Sequence, residues 1–210
     1  MSQAAQPGEA KTAEARFDWE DHFRLIRDDP PKPMLLLALK SPVEKGKALD
    51  LGAGALNDAR HLLKVGFQKV VALDANLPGH AASGFANTER FEFVKARMQD
   101  FAFPKAAFDL VNAQFVLPFL PPQDFPAVFA SACDSLAPGG LFAGQLFGTN
   151  DEWASDPQMT FHDPAEARRL LARYGDFVYF SDEENWSGTL ASGQTKHWHI
   201  LHFIVRRRAG

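Results

Sequence analysis

The 210-residue sequence predicts an α/β fold built around a mainly parallel sheet. Two short apolar runs, KALDL and KVVALD, read as strands, and KVVALD is continuous in apolar residues, as in strands buried on both faces of a parallel sheet. Segments with helical spacing separate the strand-like runs along the chain. A glycine-rich turn follows the first run and an acid closes the second. A ligand crevice is then expected beyond the carboxyl ends of the first strands, where strand order reverses.

Taken in order, residues 1 to about 16 are small, polar and without period, and read as a disordered tail with no apolar signal region. In FDWEDHFRLIR, Trp19, His22, Phe23 and Ile26 fall at helical spacing. DDPPKP breaks that helix, and Pro33 opens a second short one, MLLLALK. Residues 1–40 therefore read as a tail with a helical cap, and 41–210 as the main domain. KALDL is the first strand. DARHLLKVG is a helix with Ala59, Leu62 and Leu63 on one face and Gly66 at its C-cap. KVVALD is the second strand. LPGHAASGFANTER carries Pro78, Gly79 and Gly84, so a helix there is short or absent. FEFVKA and FDLVNAQF are the third and fourth strands, with Asn112 a strand residue. FPAVFASACDSLAPGG reads as a helix ending in a Pro-Gly-Gly turn, and LFAGQLFG as the fifth strand. In DPAEARRLLARYG, Asp163 is the N-cap, Pro164 the first helical residue and Glu166 the third. FVYFS and HWHILHFIVRRR are the last two strands.

Composition removes several classes of function. There are 22 basic and 26 acidic residues, a net charge of −4, which argues against a broad phosphate-binding surface and a nucleic-acid partner. A lone Cys133 forms no internal disulfide and builds no cysteine zinc site, so a reducing cytoplasm is the expected location. The longest proline-free apolar run, Met34–Leu39, is far too short for a membrane span. The 19 phenylalanines are scattered and read as core filler. In HWHILH, His197 and His199 share one strand face and His202 the other. With no third ligand evident they read as packed histidines, and no metal is expected. Arg206–Arg208 reads as a solvated strand end.

Gly52 and Gly54 stand where the backbone must turn sharply and a ligand can approach closely. Asp74 lies 20 residues beyond Gly54 at the end of the second strand, where a carboxylate can accept both hydroxyls of a ribose. That arrangement fits a dinucleotide or another nucleoside cofactor. The third fingerprint glycine is replaced by Asn57, a good N-cap, and Asp58 puts negative charge in the first helical turn. Both features favour a cofactor without phosphate, such as S-adenosylmethionine (SAM).

Four pieces in this order, ALDLGAGALNDARHLLKVG, VVALDAN, ARMQDFAFPKAAFDLVNAQFVLPFL and SLAPGGLFAGQLFG, resemble the class I SAM-dependent methyltransferases from about Lys47 to Gly148. Within that superfamily the chain is most similar to the small tellurite-resistance-type or thiopurine-type enzymes. The resemblance implies a Rossmann-like, doubly wound sheet of seven strands, mainly parallel with an antiparallel last strand. It implies SAM as cofactor and a small-molecule acceptor. By the same resemblance, Asp50, Gly52, Ala53 and Gly54 hold the methionine end of SAM and Asp74 the ribose. Gln99 and Asp100 flank adenine, and Gln114 and Phe115 lie near the reacting methyl. Many members carry a further glycine where this chain has Leu56, so a differently shaped turn is expected. FVLPFLPP and the Trp19–Phe23 helix are expected to cover the site. No catalytic base is identified. An NAD-dependent oxidoreductase with an irregular fingerprint, and a SAM-binding module without catalysis, are the alternative readings.

Overall fold

The structure, a computed structural model, describes residues 18–76 and 87–209. The expected tail, and most of the weak segment after the second strand, lie outside those residues. Two short helices open the described chain. In α1 (Trp19–Leu25) the Asp18 side chain caps the first turn by accepting the Asp21 amide at 2.9 Å. Phe23 is buried, and Trp19, His22 and Ile26 are half-buried beside it, as their spacing requires. Helix α2 (Pro33–Ala38) starts on Pro33 and buries Met34, Leu35 and Ala38.

The sheet follows: β1 (Lys47–Leu51), β2 (Lys69–Asp74), β3 (Phe91–Lys95), β4 (Phe108–Ala113), β5 (Leu136–Gly148), a two-residue β6 (Phe161–His162), β7 (Gly175–Thr189) and β8 (Thr195–Arg207). Three longer helices connect them: α3 (Asn57–Lys64), α4 (Phe125–Ser135) and α5 (Pro164–Ala172). The spatial order is β3-β2-β1-β4-β5-β8-β7, with β6 pairing beside β5. Strands β1 to β5 run parallel, and β8 is antiparallel to both neighbours. Apart from the two-residue β6, this is the expected seven-strand sheet. The last strand lies between β5 and β7, and β7 forms the edge.

Alternation along β1 divides the core. Leu49 and Leu51 face the layer of α4 and α5, packing with Phe129, Ala132 and Leu171. Ala48 faces the layer of α2 and α3, packing with Leu35, Ala59 and Leu62. Many phenylalanines fill this core as expected: Phe129, Phe142 and Phe203 are essentially inaccessible and touch one another at 5.3–6.4 Å between ring centres. Each buried ring contributes about 1.5–3 kcal/mol.

One boundary differs from expectation. Strand β5 begins at Leu136, directly after α4, and carries Pro138-Gly139-Gly140 inside it. The register against β4 shifts between Phe108 and Leu110, and Gly139 takes φ +80°. The Pro-Gly-Gly segment is thus an irregularity at the start of a strand rather than a turn outside it.

Candidate active site

The sheet reverses its winding between β1 and β4, and a cleft of about 790 Å³ opens beyond their carboxyl ends. Its floor is the turn after β1. Gly52 and Gly54 take φ +63° and +49°, and the Gly52 and Ala53 amides donate to the Leu73 carbonyl of β2. A side chain at Gly52 would overlap Val116, and one at Gly54 would meet the Phe23 ring at 3.3 Å. The turn is therefore pressed between α1 and the segment after β4. Leu56 also adopts left-handed backbone, φ +65°, with its side chain buried. A left-handed non-glycine residue costs about 1–2 kcal/mol, offset here by burying an entire leucine. Despite lacking glycine there, the turn takes a conformation that glycine favours.

One expectation about α3 is corrected. Asn57 is its first residue rather than its N-cap, and its side-chain amide donates to the Ile26 carbonyl at 2.7 Å, tying α1 to the turn. Asp58 lies in the first turn, as expected. It is buried, accepting the Lys32 amide at 2.8 Å and the Asn112 side-chain amide at 2.9 Å. Parallel register places Asp50 beside Asn112. Asn112 Nδ2 also donates to Asp50 Oδ1 at 2.7 Å, so one amide bridges two buried carboxylates. Asp50 Oδ2 is buried and has no partner within hydrogen-bond distance among the described residues, although the nearby Ala59 amide also favours the carboxylate. Burial, then the neighbouring Asp58 charge, hold Asp50 well above the usual carboxylate range. Burial raises Asp58 as well, against the pull of the Lys32 amide and Asn112.

The network continues from Asn112. Its Oδ1 accepts Gln114 Nε2, Gln114 Oε1 accepts Gln145 Nε2, and Gln145 Oε1 accepts the Phe115 amide, all at 2.7–2.9 Å. Phe115 is held at φ +56°. Gln114 and Phe115 line the cleft in a fixed setting, with Gln145, unremarked in the sequence, as their support. At the end of β2, Asp74 accepts the amides of Gly54 and Asn76, both at 2.9 Å. Burial raises its pKa, partly offset by those amides. The carboxylate fastens the glycine turn while lining the cleft.

Asp50, Gly52, Ala53, Gly54, Asp74, Gln99, Gln114 and Phe115 thus share one cleft. Asp100 departs from them. Its exposed carboxylate makes a two-pronged bond to Arg97 at 2.8 and 3.2 Å, and that guanidinium lowers its pKa. Arg97 lines the cleft wall and Asp100 does not. Gln99 donates to Asp124 at 3.1 Å. The histidines of β8 are engaged in packing. His199 Nε2 lies 2.8 Å from Asp182, His202 lies 3.3 Å from Glu183, and His197 stacks on Trp186.

Residues far apart in sequence complete the cleft. Trp19, Phe115, Phe119, Phe147, Trp153 and Trp198 form a connected set of rings along it, so several phenylalanines are not mere filler. Behind them Lys196 pairs with buried Asp151 and packs over Trp153 and Trp198. The signal for this cluster was present only as individual aromatics; the fold brings them together. His22 also lines the cleft, its pKa lowered by burial and by Lys32.

Residues 48–140 match the model of a methyltransferase domain family. No curated protein matches the chain. Among solved structures, the fold is similar to 1,6-didemethyltoxoflavin-N1-methyltransferase of Burkholderia thailandensis, solved with 1,6-didemethyltoxoflavin and S-adenosylhomocysteine. That likeness has a TM-score of 0.62 at 21% identity, over 93% of this chain and 83% of the other. TehB of Haemophilus influenzae gives 0.67 at 16% identity, over 90% and 67%. A Haloferax volcanii methyltransferase structure, solved as a complex with the Trm112 activator, gives 0.68 at 16%, over 91% and 95%.

Proposed function

With a methyltransferase domain carried over residues 48–140, we propose that this chain is an enzyme that transfers the methyl group of SAM to a small-molecule acceptor. The observation that carries this reading is the composition of the cleft floor: two left-handed glycines flanked by Asp50 and Asp74. The unpartnered Asp50 Oδ2 suits the ammonium of the methionine end, beside Gly52, Ala53 and Gly54. Asp74 has acceptor capacity left after Gly54 and Asn76 for the ribose hydroxyls. Gln99 borders the place for adenine, and Asp100, paired with Arg97, follows it just outside the cleft lining. Asp58 in the first turn of α3 disfavours the dinucleotide alternative, which would put a pyrophosphate at that helix end.

SAM, when bound, supplies a methyl group already activated by the sulfonium. The chain's task is then to align and to exclude water. Gln114 and Phe115, locked through Asn112 and Gln145, define the wall nearest the transfer. Helix α1 and the turn Leu117–Phe119 close the cleft above it. In this reading residues 41–210 are the catalytic domain and the helices before residue 40 its cap. The net charge and the concave cleft favour a small molecule over nucleic acid, and the 1,6-didemethyltoxoflavin bound by the Burkholderia protein is one such molecule. No helix among the described residues is long and apolar enough to cross a membrane. The single cysteine agrees with a cytoplasmic setting.

The test uses SAM labelled in its methyl group, supplied with a small-molecule extract or with a macromolecular extract. Label should enter the small-molecule fraction with stoichiometric S-adenosylhomocysteine. Label confined to protein or nucleic acid would overturn the small-molecule reading, and SAM binding without turnover would favour the non-catalytic module.

A further inference from the structure

We infer that the acceptor is a flat heteroaromatic molecule, a class that rests on the SAM-dependent reading above. One wall of the cleft is made of six rings: Trp19, Phe115, Phe119, Phe147, Trp153 and Trp198. They come from α1, from the segment after β4, from β5 and the loop beyond it, and from β8. Neighbouring ring centres lie 5.3–6.5 Å apart, at interplanar angles of 51–81° among Trp19, Phe119, Phe147, Phe115 and Trp153. Such a wall offers both faces and edges. A planar ring gains stacked or edge-to-face contact from it, and a saturated chain gains only area.

Two rings of this wall already face a cation. Lys196, 3% exposed, places its ammonium 3.7 Å from the Trp153 ring centre and 3.9 Å from that of Trp198, with Asp151 as its counter-ion. The internal lysine already takes the cation–π attraction of these two rings, and its charge opposes a second one. Its burial also keeps it from serving as an anion-binding group. The polar groups lining the cleft include neutral Gln114, Thr189, Ser192 and Gln194, and Asp18, Asp21 and His22 beside Trp19. Amides and hydroxyls both donate and accept, which matches ring nitrogens and carbonyl groups at the rim of a heterocycle.

The experiment begins with the full chain titrated with S-adenosylhomocysteine. The loaded protein is then titrated by calorimetry with a panel of bicyclic heteroaromatics (quinoline, purine and pteridine frameworks), an aliphatic amine of similar size and an inorganic oxyanion. At least one heteroaromatic should bind about tenfold tighter than the amine or the oxyanion. Phe119→Leu, which keeps apolar volume and removes the ring, should weaken it about tenfold with S-adenosylhomocysteine affinity retained. Trp19→Leu provides the same comparison should the first variant fold poorly. Equal or tighter binding of the amine or oxyanion, no binding by any heteroaromatic, or indifference to both substitutions would overturn the proposal. Failure of S-adenosylhomocysteine to bind at the first step would instead overturn the cofactor reading beneath it.

Discussion

Two carboxylates that look alike in the sequence have different duties. Asp74 spends part of its acceptor capacity on the Gly54 and Asn76 amides, so it shapes the turn as well as facing the cleft. Asp74→Ala should lower S-adenosylhomocysteine affinity at least tenfold and also reduce the melting temperature, since each lost bond to a charged acceptor costs about 1.5–3 kcal/mol. Unchanged affinity by calorimetry would remove Asp74 from the site. Asp50 is the reverse case. Its carboxyl and that of Asp58 are raised in the folded state, so their ionisation opposes folding increasingly as pH rises above the ordinary carboxylate range. Asp50→Asn should therefore stabilise the unliganded chain at pH 7–8, with the gain vanishing near pH 4, while weakening S-adenosylhomocysteine at least tenfold. A melting series against pH, paired with calorimetry, checks both signs. This pairing was not legible in sequence, because Asp50, Asp58 and Asn112 meet only through parallel register and the start of α3. Gly52, Gly54 and Asp74 were legible because backbone geometry and a strand end restrict what can occupy those positions.

Among the elements, the central strands were readable because β1 and β2 are short apolar segments buried on both faces, continuous in β2 and broken by Asp50 in β1. The start of β5 was not, because proline and two glycines look alike in a turn and in a strand irregularity. Helix α1 is more than a cover. Phe23 is buried against the glycine turn and Ile26 accepts the Asn57 amide, so the helix braces the floor of the cleft as well as closing it. Deleting residues 1–30 should accordingly abolish S-adenosylhomocysteine binding and turnover together. Loss of turnover with full cofactor affinity would assign α1 to the acceptor alone. On β6, His162 is packed 4.7 Å from the Phe125 ring, its Nδ1 has no partner among the described residues, and burial lowers its pKa to about 4. The unfolded imidazole takes its proton near pH 6.5, so stability is lost as pH falls from there toward 4, on the order of 3 kcal/mol for this group. His162→Phe should flatten that acid limb in melts recorded between pH 7 and 4. An unchanged slope would show that His162 is not responsible for it.

For the whole molecule, the doubly wound sheet was expected from alternating strands and helices, and the reversal between β1 and β4 places a cleft where the glycine turn already pointed. The aromatic wall was beyond sequence reading, since Trp19 and Trp198 share it only once the chain has folded. The central claim is that this cleft takes a nucleoside cofactor without phosphate. A ligand that binds only the folded chain at a hundredfold excess over its Kd adds about 2.7 kcal/mol of stability. For a chain of this size that is a rise of roughly 5–10 °C in Tm. The most direct test is thermal denaturation of the full chain with S-adenosylhomocysteine and, separately, with NAD or NADP at equal concentration. A rise of that size with S-adenosylhomocysteine alone, abolished by Gly54→Val, is the predicted result. A rise with NAD and none with S-adenosylhomocysteine would contradict it.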